Sequence, residues 1–318
     1  MKIIYKNKYK YIEFLGDFSL HNVSYIHKLK KKKLVYRIIN FETFFSVQEK
    51  DNAFLINSDK DEAIKSLIKL NVNCIAVANN HIFDGSYDLL INFLLLLKNK
   101  HKIDIIGLKD NTNFPNEIFF LYKNKKLLIQ SMIHKESFSK KLKLNYKKKL
   151  FLDVLKEKKL NRNFDNFIKI IFLHGGEMFK QTQINAKKLS KKLNKNLFII
   201  QCGSHIAGYY YKNFFSGIGN FVFNDMSYKY LNNYLPYKNS ILEKLGVKVV
   251  YNIDRRIFLT EFFFTNYLHK RNMYTRLFST TKMYMFNFYI SFMKIFYPFF
   301  LYLRVKRYIK HRVIKHFN

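Results

Sequence analysis

Five short segments bring carboxylate, amide and imidazole groups to the ends of apolar runs in the chain. They are Gly16-Asp17, Asn40-Phe41-Glu42, Asn79-Asn80-His81 with Asp84 shortly after, His174-Gly175-Gly176 and Gly203-Ser204-His205. Oxygen and imidazole donors in one set are suitable ligands for Mn, Fe or Zn. If the five segments meet in space, they predict a divalent metal site.

Each segment also has a simpler interpretation when it is taken alone. A histidine after a strand is more often a hydrogen-bonded loop residue than a ligand, and Asp17 after a glycine could form a turn or cap a helix. The metal hypothesis therefore depends on all five segments having the same position relative to a strand. In an open α/β sheet the loops after the carboxyl ends of the strands converge on one crevice, which would bring the five together.

The sequence lacks the motifs of several common enzyme classes. It contains no P-loop, GxGxxG, HExxH or GxSxG segment, which argues against nucleotide cradles and serine hydrolases. Its two cysteines, Cys74 and Cys202, form no CxxC pair and no metal-knuckle spacing. We therefore expect neither a disulfide scaffold nor a structural zinc ribbon.

The elements that must position these groups alternate between predicted strands and helices. Amphipathic stretches predict helices at residues 60–70, 87–98 and 181–193, with Ser58 or Asp59 capping the first and Ser86 the second. The alternation predicts an α/β layered fold, and a hairpin spacing around Asp254-Arg255 predicts that the sheet ends antiparallel. Apolar, β-branched runs predict strands at residues 11–15, 34–39, 73–77, 103–107, 118–122, 126–131, 168–173, 197–201, 218–223, 247–252 and 257–263.

The ordered series of motifs resembles the CapA family, the capsule or poly-γ-glutamate synthesis proteins. The resemblance runs from about residue 11 to residue 225. It implies a calcineurin-like metallophosphoesterase sandwich, layered α/β/β/α, over residues 1–265, followed by a basic, aromatic C-terminal helical tail over residues 266–318. The matching segments are Gly16-Asp17 for GD, Asn40-Phe41-Glu42 for NLE, Ala78-Asn79-Asn80-His81 and Asp84 for ANNHxxD, His174-Gly175-Gly176 for HGG, and residues 216–223 (SGIGNFVF) for SLGNFVF.

The same resemblance implies a role for each site residue. Asp17 would ligate one divalent ion (Mn, Fe or Zn), and Glu42 would bridge to a second ion, if two are bound. His81 would protonate the leaving group, and Asp84 would orient His81. The second ion would be ligated by Asn80, His174 and His205, and the site would further be lined by Glu177, Asn220 and Phe221.

Two departures from the family pattern change what we expect of the site. The family places an acid four residues after the histidine of its HGG motif, whereas here Met178 holds that place and Glu177 precedes it. The second histidine of the family's HxH pair is replaced by Ala207, which has no donor atom. A single-metal or weakened site is therefore expected, unless His21 or a water compensates.

The charge of the chain indicates a polyanionic partner. Lys and Arg total 57 against 22 Asp and Glu, a formal charge of +35, which suits an acidic polymer, an anionic membrane or nucleic acid. AT-rich codons would also enrich Lys, Phe, Tyr, Ile and Asn, but they do not explain the shortage of Asp and Glu. Nucleic acid is the least favoured partner, because no recognised nucleic-acid module accompanies the charge. The lysine-dense stretches 28–33 and 140–149 are predicted to be solvated surface loops.

The last part of the chain differs from the rest. After Glu261 there is no acidic residue, and residues 283–303 (MYMFNFYISFMKIFYPFFLYL) are almost wholly apolar and aromatic, followed by a basic run. Three interpretations stay open: an interfacial helix on an anionic membrane, a helix packed on the domain, or a membrane span weakened by Lys294 and Pro298. The N-terminus is not a signal peptide, because lysines interrupt its apolar stretches. We therefore expect a cytoplasmic protein, peripheral to the inner face of the membrane.

Two functions remain in competition. The first is biosynthesis or export of a capsular polymer of poly-γ-glutamate or polysaccharide type, with a metal-dependent, phosphoesterase-type hydrolase site. The alternative is a non-catalytic, degenerate module of the same fold that binds an anionic polymer or a membrane. The loss of a ligand at Ala207 favours the alternative, whereas the retained Asp17, Glu42, Asn80 and His81 favour a working metal site.

Overall fold

The structure is a computed structural model, and it describes only part of the 318 residues. The described residues are 3–20, 25–26, 28–43, 59–82, 85–108, 114–134, 155, 167–175, 184–222, 245–268, 271–280, 287–288 and 290–291. The helices are α1 (Lys60–Lys69), α2 (Tyr87–Asn99) and α3 (Ile184–Lys192). In chain order the strands are β1 (Ile3–Lys6), β2 (Tyr11–Phe18), β3 (Tyr25–Ile26), β4 (Val35–Phe41), β5 (Cys74–Ala76), β6 (Asp104–Ile106), β7 (Glu117–Tyr122), β8 (Lys125–Ile133), β9 (Ile168–His174), β10 (Leu197–Cys202), β11 (Tyr210–Tyr211), β12 (Phe214–Phe215), β13 (Asn220–Val222), β14 (Leu245–Asn252), β15 (Ile257–Leu268) and β16 (Arg271–Thr280).

These strands form two mixed sheets. The smaller sheet has the order β1-β7-β8-β9-β10-β12-β11, and the larger has the order β3-β16-β15-β14-β2-β4-β5-β6, with β13 also paired to β2. In the larger sheet β2, β4, β5 and β6 run parallel, so their carboxyl ends share one edge. The strands β14 and β15 pair antiparallel through a turn at Asp254-Arg255, which confirms the predicted hairpin.

Alternating side chains divide the interior into three apolar layers. Phe14 of β2 faces the smaller sheet and packs on Phe172 of β9, with ring centroids 5.5 Å apart. On the other face of the larger sheet, Phe41 of β4 stacks on Phe93 of α2 at 5.5 Å. Leu189 of α3 belongs to a third buried cluster on the outer face of the smaller sheet. Two sheets with helices on both outer faces form the predicted α/β/β/α sandwich.

Local sequence explains where the first two helices begin. The Asp59 carboxylate accepts a hydrogen bond from the Glu62 N–H at 2.8 Å, and the Ser86 hydroxyl accepts one from the Leu89 N–H at 3.4 Å. Both side chains are N-caps that satisfy a backbone donor with no partner inside the helix. The predicted caps of α1 and α2 are thus confirmed, with Asp59 rather than Ser58 as the first.

Several strand ends differ from the prediction. Gly16 and Asp17 lie inside β2, and Asn40 lies inside β4, whereas we expected each to follow its strand. The pairing of β2 with β4 shifts register between Leu15 and Asp17. Such an irregularity bends a strand and redirects its side chains. It lets an acidic residue lie in a buried strand at the edge where the crevice forms.

The predicted boundary at residue 265 falls within β15, which continues to Leu268 and pairs with β16 up to Thr280. The division of the chain into a domain and a tail stays a prediction. Most of residues 283–303 lie outside the described residues. Asn287 exchanges two hydrogen bonds with the backbone of Tyr210, at 2.7 and 2.8 Å, and Ile290 is fully buried in the core between the sheets. At these positions the segment therefore packs on the domain.

A membrane-spanning helix would have to be long and apolar. None of the helices in the described part of the chain meets both conditions.

Candidate metal centre

Four buried side chains from both sheets converge where the parallel strands end. They are Asp17 of β2, Glu42 directly after β4, His174 at the end of β9, and His205 in the loop after β10. One donor atom from each of Asp17, Glu42 and His205 lies within 4.8 Å of the others, and the same holds for Asp17, His174 and Cys202. The crevice that the sequence predicted therefore brings its acidic and imidazole groups together.

Asp17 is held as a carboxylate by donors on several sides. The Asn40 amide donates to its Oδ1 at 2.7 Å, and the Gly203 N–H donates to both carboxylate oxygens at 2.9 and 3.0 Å. The His205 Nδ1 lies 3.4 Å from its Oδ2. Burial alone would raise the pKa of Asp17, but hydrogen bonding and charge from His205, together with His174 and Asn40, hold that pKa below its ordinary value.

His174 is an uncharged imidazole at neutral pH. Its burial lowers its pKa to about 3, although the nearby Asp17 carboxylate acts in the opposite direction. Its Nδ1 lies 3.2 Å from the Asn40 amide nitrogen, and its Nε2 lies 2.5 Å from the Asn80 Oδ1. An uncharged imidazole keeps a lone pair, which is the form that binds metals.

Glu42 is the carboxylate around which three imidazoles gather. Its Oε1 lies 3.8 Å from the Nε2 of His81 and 3.9 Å from the Nε2 of both His174 and His205. These separations exceed hydrogen-bond length. Ligands that bind one ion at about 2.0–2.3 Å in tetrahedral geometry lie about 3–4 Å from one another. The spacing and the mixed oxygen and nitrogen donors therefore fit a divalent metal ion.

Gly203 lets the imidazole of His174 approach the backbone closely. Its φ is +84°, and a Cβ at this position would lie 2.5 Å from the His174 Cε1 and 2.7 Å from its Nδ1. Any larger residue would therefore push the imidazole away, besides being strained in its backbone. The same residue donates its N–H to Asp17, so one glycine positions both a carboxylate and an imidazole.

The loop after β5 supplies the more accessible groups. The Asn79 amide donates to the Phe41 carbonyl at 2.7 Å and its Oδ1 accepts from the His81 N–H at 3.1 Å, which fixes the loop beside Glu42. The His81 side chain is 17% exposed, against 3% for His174 and His205. Of these three imidazoles, His81 is the one that a substrate arriving from solvent could reach most easily.

The remaining predicted site residues lie in different places. Asp84, Glu177 and the compensating candidate His21 are outside the described residues. The backbone of Asn220 in β13 pairs with Asp17, and Phe221 is buried against Phe263 at 5.6 Å. These two residues are placed to support the strand that carries Asp17.

Ala207 lies in the apolar core between the sheets. It is fully buried and forms a bridge with Ile218. At the position where the family pattern has a histidine, this chain has an alanine that packs in the apolar core and pairs with Ile218, two residues before β13 begins. The ligand groups described above are formed without it.

Three residues of the centre have no role in the site that the sequence predicts. Asn40 joins Asp17 to His174, Gly203 packs beneath the imidazole, and Cys202 belongs to the second ligand group. Two of these three residues could have been identified. Asn40 lies two residues before Glu42, and Cys202 pairs with His174 across two strands that end together. Burial and the nearby Asp17 and Glu42 raise the pKa of the Cys202 thiol, so it is protonated unless a metal displaces the proton.

Fold and donor set together describe an α/β sandwich that can hold a divalent metal at the carboxyl ends of its strands. Residues 22–225 match the family model described as bacterial capsule synthesis protein PGA_cap. Since the match covers more than half of the chain, this protein belongs to that family, and the resemblance found in the sequence is confirmed. No curated protein matches the sequence.

Proposed function

We propose that this protein acts in the biosynthesis or export of an anionic capsular polymer and that its metal centre carries out phosphoester-type hydrolysis. Family membership supports the first part. One observation carries the second: Asp17, Glu42 and His205 present donor atoms within 4.8 Å of one another in a buried crevice. Desolvated carboxylates without a cation repel each other, so an ion would stabilise this arrangement.

The chain's own residues have distinct tasks in such a reaction. Asp17, Glu42 and His205 would hold one ion, and His174 with Asn80 would complete a second position or strengthen the first. When bound, a divalent ion supplies Lewis-acid polarisation of a phosphoryl oxygen. Asn40 and the Gly203 N–H keep the Asp17 carboxylate oriented, as partners behind metal ligands generally do.

His81 is the candidate for proton transfer. It is the most exposed of the three imidazoles around Glu42, and its Nε2 lies 3.8 Å from the Glu42 carboxylate. A protonated imidazole at the mouth of the crevice can donate a proton to the oxygen of a departing alcohol or phosphate. Replacing it should lower turnover and leave metal binding largely intact.

The test combines metal analysis with turnover of a generic substrate. Purified protein supplemented with Mn, Fe or Zn is analysed for metal content and assayed with an aryl phosphodiester, as wild type, Asp17→Asn and His174→Ala. His101→Ala, at the other end of the sheet, is the matched control for loss of an imidazole. We expect near-stoichiometric metal and turnover in wild type and control, and loss of both in the two site variants. Equal metal content in all four proteins would refute the site.

A second candidate function is favoured by one observation, the apolar contact made by Ala207. If that change has disabled catalysis, the protein is a non-catalytic module that binds the polymer. Metal bound without turnover of any phosphoester, or no metal after supplementation, would support this alternative. Poly-γ-glutamate is the polymer we propose to test first.

We also propose that the basic residues after position 303 contact an anionic membrane surface from the cytoplasmic side. The run contains Arg304, Lys306, Arg307, Lys310, Arg312 and Lys315. Each such residue adds about 1 kcal/mol near an anionic surface. Sedimentation with phosphatidylglycerol vesicles but not phosphatidylcholine vesicles is the expected result, and equal sedimentation with both would contradict the electrostatic contact.

A further inference from the structure

A basic cleft opens at the end of the large sheet opposite the metal centre. Its volume is about 290 Å³, just below the range of about 300–1,000 Å³ for small-ligand sites. Among the described residues that line it there is no Asp or Glu. Six basic side chains line it: Lys8, Lys31, Lys32, Lys33, Arg37 and His101.

The floor of the cleft is a buried ion-pair network that already neutralises part of this charge. Arg37 is 4% exposed and Glu13 is 2% exposed, and their side chains meet at 2.7 and 2.8 Å. Arg37 also donates to the Leu70 carbonyl at the end of α1. Lys32 lies 3.7 Å from the same Glu13 carboxylate. The floor is therefore built and fixed in place, and Glu13 offsets only part of its positive charge.

The charge available to a ligand comes from the rim. Lys8, Lys31 and Lys33 are exposed, and none of the described ion pairs includes them. Lys31 and Lys33 come from the loop before β4, whereas Lys8 precedes β2, so the fold brings together lysines from two separate segments. Three ammonium groups outside the described ion pairs, placed around one concave surface, attract an anion with several charges more strongly than scattered lysines do.

The position of the cleft separates it from the proposed chemistry. Val35 lines the cleft at the start of β4, and Glu42 follows the last residue of that strand. A strand of this length spans roughly 20 Å at about 3.3 Å per residue. A ligand in the cleft therefore does not touch the metal centre.

We propose that this cleft binds a short segment of the anionic polymer, through successive carboxylate or phosphate groups. The identity of the polymer rests on the proposed function, whereas the anion-binding character rests on the cleft itself. Ammonium groups recognise carboxylates and phosphates as point charges. Single-stranded nucleic acid would also need a free aromatic face, but the Tyr9 ring in this cleft packs on Tyr36 and has the Lys8 ammonium over it, 5.2 Å from the ring centroid.

The test compares two triple variants with equal loss of charge. Fluorescence anisotropy with labelled poly-γ-glutamate measures binding by wild type, by a cleft variant (Lys8→Gln, Lys31→Gln, Lys33→Gln) and by a control (Lys188→Gln, Lys191→Gln, Lys195→Gln). The control lysines are also exposed and lie on or just after α3. We expect the cleft variant to bind at least about ten-fold more weakly and the control to change about two-fold or less, since local charge outweighs net charge under salt screening. Equal weakening in both variants, or in neither, would overturn the proposal.

Two further arms identify the ligand and separate this inference from the proposed function. Linear polyphosphate in the same assay distinguishes phosphate from carboxylate as the bound group, and selective loss of either in the cleft variant supports the site. Tighter binding of single-stranded DNA that is lost in the cleft variant would overturn it, because the cleft would then serve nucleic acid. The cleft variant should keep wild-type metal content and phosphodiester turnover. If the wild type has no phosphodiester turnover, and only the cleft variant loses polymer binding, the hydrolase proposal fails and the cleft proposal is supported.

Discussion

At the carboxyl ends of β2 and β4, Asp17 and Glu42 are buried among imidazoles, whereas at the amino ends of the same strands lysines face solvent around a cleft. The first region is buried, and hydrogen bonds hold its Asp17 carboxylate in place. The second has exposed lysines at its rim, and the buried Arg37 and Glu13 on its floor are paired with each other. Burial therefore decides what each end can do: one suits a small, multiply charged cation, and the other suits a flexible anionic chain.

The separation of the two regions also explains how so basic a protein keeps carboxylates available to bind a metal. The chain has 22 Asp and Glu against 57 Lys and Arg, and a carboxylate on the surface would meet a lysine easily. Asp17 and Glu42 avoid this because they lie in or next to the interior strands. Asp17 accepts hydrogen bonds from the Asn40 amide and the Gly203 N–H, and imidazoles surround Glu42. Separation by about the length of a strand keeps the two kinds of charge from neutralising each other.

The largest effect is expected from Asp17→Asn. The substitution keeps the shape of the side chain but removes its charge, so metal binding should fall by more than the roughly 10–100-fold typical of residues behind the ligands. Isothermal titration with Mn²⁺ measures this change. Asp254→Asn is the matched control, because Asp254 lies far from the metal centre and makes two long ion pairs, with Lys10 and with Lys123, each at 3.7 Å. Parallel losses in both proteins would contradict a special role for Asp17.

A smaller but still large effect is expected from Gly203→Ala. The new Cβ would lie within 3 Å of the His174 imidazole at a left-handed φ, so the ring must move. We expect metal affinity to fall about 10–100-fold and the free energy of unfolding to fall by about 1–3 kcal/mol. Ser204→Ala, at the adjacent residue, is the control, because it removes a hydrogen bond to the Ile206 carbonyl and introduces no clash. If Ser204→Ala lowers metal affinity as much as Gly203→Ala, the contact with His174 is not the cause.

At the other end of the strands, Arg37→Met should affect stability rather than metal binding. It leaves the buried Glu13 without its closest partner, which should cost about 3 kcal/mol in the free energy of unfolding. Lys65→Met breaks an exposed pair with Glu62 at 3.5 Å and should cost less than about 1 kcal/mol. Urea unfolding measures both. A metal affinity that falls in Arg37→Met would show that the two ends are coupled.

The smallest expected effect is a difference in the pH at which His174 and Glu13, at the two ends of the strands, change the stability of the protein. In protein stripped of metal, His174 is uncharged when folded because its pKa is about 3, so the unfolded chain gains a proton first as the pH falls below 6.5. Stability at this end should decline from pH 6.5 downward. Burial alone would raise the pKa of Glu13, but charge from Lys248, Arg37 and Lys32 lowers this pKa below 4.5. The stability that Glu13 contributes is therefore present above pH 4.5 and is lost as the pH falls below that value.

Unfolding experiments across this pH range distinguish the two groups. His174→Gln should flatten the dependence between pH 6.5 and 4.5, and Glu13→Gln should flatten it below 4.5. A His174→Gln profile that matches wild type above pH 4.5 would contradict a buried, uncharged imidazole.

Much of the fold could be predicted because its signals are local. Apolar runs marked the long strands, and side chains such as Asp59 and Ser86 marked the helix starts. The short strands β3, β11 and β12, and β1 at the sheet edge, were missed because they depend on pairing with distant partners rather than on their own sequence. The strand β16 was missed because its segment has the composition of the tail.

The candidate site divides in the same way. Asp17, Glu42, His174 and His205 were predictable from their positions near strand ends. The contacts of Asn40 and Gly203 were not, because each depends on two strands from different sheets. The cleft was hidden for a similar reason: the stretch 28–33 has the composition of a solvated loop, and only the fold places Lys31 and Lys33 beside Lys8.

The most direct test of the account is an anomalous difference map from crystals of this protein grown with Mn²⁺ or Zn²⁺. We predict a peak between Asp17, Glu42 and His205, at about 2.0–2.3 Å from a donor atom of each, and none in crystals of Asp17→Asn. Density for these side chains without an anomalous peak, at saturating metal, would contradict the central claim that the carboxyl ends of the strands form a metal centre.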